Sequence, residues 1–109
     1  MAKLPAFLIV ALLLSPLPAR AADVVQNISV VNRIFTPSEF TVPANQKVKI
    51  VIKNDSEEPA EFESLELNRE KVIPAHDQVI VYIGPLDPGS YPFFNDFDPN
   101  KSTGKVIVK

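Results

Sequence analysis

The side chains able to do chemistry in this sequence are almost all oxygen acids and amides. Glu57, Glu58, Glu61, Glu63 and Glu66 crowd one stretch, and near the C-terminus Asp96 and Asp98 flank Phe97, with Asn95 just before them. Carboxylates two residues apart, such as Asp96 and Asp98, can clamp one cation from a loop. Oxygen donors suit hard ions: iron in either oxidation state, Mn²⁺, Ca²⁺ or Mg²⁺. Simpler readings stand beside that one. A glutamate run also marks a solvated loop and the wet face of an edge strand, where charge discourages pairing with other chains. An Asp-rich segment also marks a turn whose side chains bond their own backbone.

Sulfur and nitrogen chemistry is nearly absent. The chain has no cysteine, so it offers no thiolate ligand, no cysteine nucleophile and no disulfide, and its one methionine is Met1. His76 is the lone imidazole, placed in Pro74-Ala75-His76-Asp77, where an exposed turn residue is the natural reading. A hydrolytic triad needs a positioned base beside a nucleophile, and none is in view. Gly84, Gly89 and Gly104 are too few and too scattered for a phosphate-cradling loop. Catalysis by side chains alone is not expected, though an accessory part in oxidising ferrous iron stays open.

The elements that must position these groups have period two. Lys47 to Lys53 puts Val48, Ile50 and Ile52 on one face and three lysines on the other, a strand with one wet face. Gln78 to Ile83 and Lys105 to Lys109 behave similarly. Shorter runs at 26–31, 39–42, 61–66 and 90–95 bring the expected total to about seven strands. Turn clusters separate them, among them Thr36-Pro37-Ser38, Asn54-Asp55-Ser56 and Asp87-Pro88-Gly89. No stretch holds a 3.6-residue period. The expected class is all-β, a two-sheet Greek-key sandwich. Pro88-Gly89 leading into Tyr91 matches a tyrosine corner, in which the phenol bonds a nearby backbone group.

Ahead of this domain, Lys3 and the apolar run from Leu4 to Leu17 precede Ala19-Arg20-Ala21, a pattern of a cleavable secretory signal over residues 1–21. The expected domain is then 22–109, in the periplasm of a bacterium. Losing Lys3 and Arg20 from 11 basic and 13 acidic side chains moves the formal charge from −2 to −4. Neither nucleic acid nor an anionic membrane is favoured as a partner.

Over most of this domain the order of parts resembles the cupredoxins. Phe40-Thr41-Val42-Pro43-Ala44-Asn45-Gln46-Lys47-Val48 looks like the turn into the family's long third strand. Pro88-Gly89-Ser90-Tyr91-Pro92-Phe93, with Gly104-Lys105-Val106-Ile107-Val108, looks like its last hairpin. Copper-binding members carry Y-x-F-x-C-x-x-H there, then Met, with a further His upstream. Tyr91 and Phe93 match that pattern. Asn95 stands at the Cys position, Asp98 at the His position and Ser102 or Thr103 near the Met position, while Glu61, with Glu63 beside it, falls at the upstream His. A type 1 copper centre needs its thiolate, so the resemblance implies a carboxylate-and-amide site of Glu61, Glu63, Asn95, Asp96 and Asp98 for an iron or copper ion instead. Strand alternation agrees with a shared site, since Tyr91, Phe93 and Asn95 have one parity and Glu61 and Glu63 share a face.

The run from Ala60 to Glu70, with Tyr82-Ile83-Gly84-Pro85-Leu86, is similar to cupredoxin-domain proteins that accompany bacterial ferrous-iron permeases. That similarity implies iron handling outside the inner membrane, with an inner-membrane iron permease or a periplasmic iron-binding protein as partner. The competing expectation is an interaction module that has lost its metal site.

Overall fold

The computed structural model describes residues 2–6, 23–100 and 102–109. Most of the expected signal segment therefore lies outside the described residues. Among the described residues there is no helix, and nine strands form two sheets. They are β1 (Val24–Val31), β2 (Ile34–Thr36), β3 (Glu39–Val42), β4 (Val48–Asn54), β5 (Ala60–Ser64), β6 (Arg69–Ile73), β7 (Gln78–Ile83), β8 (Gly89–Asn95) and β9 (Thr103–Val108). One sheet has the order β2-β1-β4-β7 and the other β3-β9-β8-β5-β6. Both are mixed, because β1 runs parallel to β4 and β3 parallel to β9, whereas the remaining pairs are antiparallel.

Alternation dictates which side of each strand is dry. On β4, Val48, Ile50 and Ile52 are buried and Lys53 is exposed. On β9, Val106 and Val108 are buried. The centre is aromatic. Phe35 stands edge-on to Phe62 and Phe93, with centroids 5.9 and 5.3 Å apart, and Phe62 and Phe93 lie 4.9 Å apart at a shallow tilt. Edge-to-face rings of this kind add about 0.5–1.5 kcal/mol to their apolar burial. β9 can lie this close to the core because residue 104 is glycine. A Cβ there would collide with the Ser38 carbonyl and the Phe93 ring.

Two strands exceed the seven expected, β2 and β6. β2 follows β1 through Asn32 and Arg33, both in the left-handed region at φ 49° and 69°. That is the backbone of a two-residue hairpin turn, for which Asn-Gly is the usual sequence signature and Asn-Arg is not. β6 is an edge strand exposed at four of its five positions, so it carries no alternating pattern to read. The tyrosine corner is present: the Tyr91 hydroxyl donates to the Asp87 carbonyl at 2.7 Å.

Candidate metal centre

Because Ala60, Phe62 and Ser64 point inward and are buried, the residues between them, Glu61 and Glu63, must face the outer side of the five-stranded sheet. Register then selects their neighbours. Glu63 lies opposite Glu70 of β6 on one side and Phe94 of β8 on the other. The result is a cluster in which Glu61, Glu63 and Glu70 bring carboxylate oxygens within 4.8 Å of one another. Asp96, just past the end of β8, is within hydrogen-bonding reach of the Glu63 carboxylate.

The electrostatics are those of like charges held together. Glu61 is only 6 % exposed, and one of its oxygens, Oε1, is buried with no hydrogen-bond partner. A hydrogen bond with Glu70, burial and the charges of Glu70, Asp96 and Glu63 raise its pKa to about 7. Glu61 therefore holds its proton close to neutrality, beside the Glu70 carboxylate. Burial, followed by the charges of Asp96 and Glu70, also holds Glu63 above the ordinary carboxylate range.

The other residues singled out from the sequence lie elsewhere. Asn95 pairs with Phe62, points inward and is fully buried. Its Oδ1 accepts the backbone N–H groups of Glu61 and Phe97, at 3.0 and 3.1 Å, and its Nδ2 donates to the Arg33 carbonyl at 3.2 Å. Asn95 is thus on the opposite side of the sheet from the carboxylate cluster, and strand parity separates it from the ligand set expected from the sequence. Asp98 faces Arg33, whose guanidinium is 3.8 Å away and also pairs with Glu58. His76 is an exposed turn residue with φ 58° and pairs with Glu57 at 3.0 Å.

Glu70 is the member of the cluster that sequence reading missed. Its signal was the hairpin linking β5 to β6 through Asn68, a left-handed residue at φ 52° that sets Glu70 opposite Glu63. With β6 unrecognised, no register was available to bring it in.

Residues 4–108 match the cupredoxin-like domain family. The chain belongs to that family. An uncharacterized protein of Rickettsia prowazekii is 35% identical over 81 residues, a match that takes in 74% of this chain and 65% of that protein. The chain thus spans about two thirds of the length of this curated relative. Among solved structures, the reduced auracyanin of Roseiflexus castenholzii superposes with a TM-score of 0.70 at 15% identity, covering 82% of this chain and 99% of that one. The metal-binding domain of the Cu(I)-exporting P-type ATPase CopA of Streptococcus pneumoniae, solved with Cu(I), gives 0.66 at 14% identity, covering 78% and 84%. At these identities the likeness is one of fold.

This cupredoxin-like domain cannot assemble a type 1 copper centre. The chain has no cysteine to supply the thiolate. At the position expected to carry it, the Asn95 side chain is already bonded to three backbone groups. The outer face of its five-stranded sheet carries the carboxylates of Glu61, Glu63 and Glu70.

Proposed function

We propose that this cupredoxin-like domain binds a hard, oxygen-preferring cation through Glu61, Glu63 and Glu70, with Asp96 beside them, and that it does so in an exported protein handling iron outside the inner membrane. The observation that carries the reading is the Glu61 carboxylate, buried with an unpartnered oxygen among two other carboxylates. A buried carboxylate beside like charges is costly unless it is protonated or paired with a cation. Sequence similarity to the domains that accompany ferrous-iron permeases supports iron as the ion and a permease or periplasmic iron-binding protein as the partner. Oxygen ligands alone favour ferric over ferrous iron, since the harder ion gains more from anionic oxygen. The test is anaerobic titration of residues 22–109 with Fe²⁺, with Mn²⁺, Ca²⁺ and Cu²⁺ as comparators. Saturable binding that disappears in the Glu63→Gln, Glu70→Gln double variant supports the reading, and binding untouched by that variant refutes it.

A second reading, an interaction module, is favoured by the other sheet. On its outer face Lys49 lies between Val25 and Tyr82 in register, Val51 lies between Asn27 and Ile80, and Lys47 sits 4.4 Å over the Tyr82 ring. Val25, Ile80 and Tyr82 are each at least 40 % exposed. A cationic, partly apolar face on a net acidic chain fits an acidic protein surface. Absence of binding by every cation in the titration leaves this docking face as the function.

A further inference from the structure

The hydrogen-bond ladder between β5 and β8 registers only two pairs, Phe62 with Asn95 and Glu63 with Phe94. Glu61, the deepest carboxylate of the cluster, lies beyond it, yet its backbone is held at both ends. Its N–H donates to Asn95 Oδ1 at 3.0 Å, and its carbonyl accepts the N–H of Asp96 at 3.1 Å. The same Asn95 oxygen accepts the Phe97 N–H, which closes the turn that carries Asp96. On its other side Asn95 Nδ2 donates to the Arg33 carbonyl, in the turn between β1 and β2 of the facing sheet. One fully buried amide thus ties together Glu61, the Asp96 turn and the opposite sheet.

We propose that Asn95 is the positioning residue of the cation site, setting Glu61 and Asp96 on the outer face through their backbones while its own side chain never reaches the ion. This rests on the cation reading and names what holds that site in shape. With Glu61 fixed at N–H and carbonyl, its Cα–Cβ bond is aimed at the outer face, where burial keeps the carboxylate beside Glu63 and Glu70. A cation therefore meets ligands already assembled, and loses less affinity to their reorganisation. Residues that orient ligands without touching the metal commonly change affinity by about 10- to 100-fold when removed.

The experiment uses Tb³⁺, a hard luminescent ion, and Mn²⁺ as probes of residues 22–109. Dissociation constants and the Tb³⁺ luminescence lifetime are measured well below the unfolding temperature. Asn95→Ala is expected to weaken both ions by about tenfold or more. It should also shorten the Tb³⁺ lifetime, as water replaces the displaced Glu61 oxygen. Asn95→Asp keeps the acceptor for Glu61 and Phe97 but sets a buried carboxyl against the Arg33 carbonyl, so it should lower the melting temperature while holding affinity within about threefold of wild type. Asn54→Ala serves as the stability control. Its buried amide bonds the carbonyls of Glu58 and Ile73 and the N–H of Ser56, and none of the four acids, so it should lower the melting temperature and leave affinity and lifetime alone. Wild-type affinity and lifetime in folded Asn95→Ala overturn the positioning role. Where that variant does not fold, a tenfold loss in folded Asn95→Asp does the same. A wild type that binds neither ion overturns the cation reading itself, a different result from either.

Discussion

Replacing Glu61 by glutamine keeps the side chain's shape and removes one charge from the cluster. The pKa of Glu61 is raised from 4.5 to about 7 in the folded chain. At about 1.4 kcal/mol per unit, the ionised form is then disfavoured by at most about 3.5 kcal/mol. Glu63 and Glu70 open onto water, which screens their repulsion, and about 1–2 kcal/mol is the fairer figure. Because the folded pKa lies above the unfolded one, the stability linked to this proton is fully present below about pH 4.5 and is lost as the pH rises through about 7. Without added cation, Glu61→Gln should therefore match wild type near pH 4.5 and become more stable across the interval up to about 8. At about 4–8 °C per kcal/mol, that is a gain of about 4–16 °C in melting temperature at the alkaline end. Saturating Mn²⁺ should reverse the order, since an ion at about a hundred times its dissociation constant adds about 2.7 kcal/mol to wild type and far less to the variant. Thermal melts in chelator and in Mn²⁺ at several pH values read both effects. A variant less stable than wild type in chelator at about pH 8, or a difference independent of pH, would refute the electrostatic reasoning.

Cation affinity should fall as the pH drops through about 7, because the ion must displace the proton held by Glu61; isothermal titration in buffers of different ionisation enthalpy should show that release. Asp98→Asn should leave affinity within about twofold, since Asp98 is paired with Arg33, whereas Glu70→Gln should reduce it about tenfold or more, both read by competition with a chelating dye. Tyr91→Phe should cost about 0.5–1.5 kcal/mol in urea denaturation through loss of the bond to Asp87, with cation binding unchanged. Gly104→Ala should destabilise by about 2 kcal/mol or more in the same assay, because backbone and a packed ring lie where the new methyl would go.

Fold class was legible because it depends on alternation, which Val48, Ile50 and Ile52 announce without ambiguity. The turn into Tyr91 was legible because its residues have a mechanism of their own. The two strands that escaped did so for physical reasons. β6 buries only Ile73, too little to imprint a pattern, and the turn before β2 bends through Asn32 and Arg33 where glycine would have given the signal. The candidate site was half legible. Glu61, Glu63 and Asp96 are near one another, as the sequence led one to expect. Glu70 depends on a cross-strand register that no local pattern records. Asn95 and Asp98 drew attention through the positions they occupy in a family pattern. Position in a strand does not tell whether an amide has hydrogen-bonding capacity left for an ion, or whether an arginine from a distant turn has reached a carboxylate first.

The most direct test is anomalous difference density from crystals of residues 22–109 soaked in Mn²⁺. A single peak among the carboxylates of Glu61, Glu63 and Glu70, on the outer face of the five-stranded sheet, is the predicted result. No peak there, or a peak beside Asp98 and Arg33 instead, would contradict the assignment of the cation site to that face.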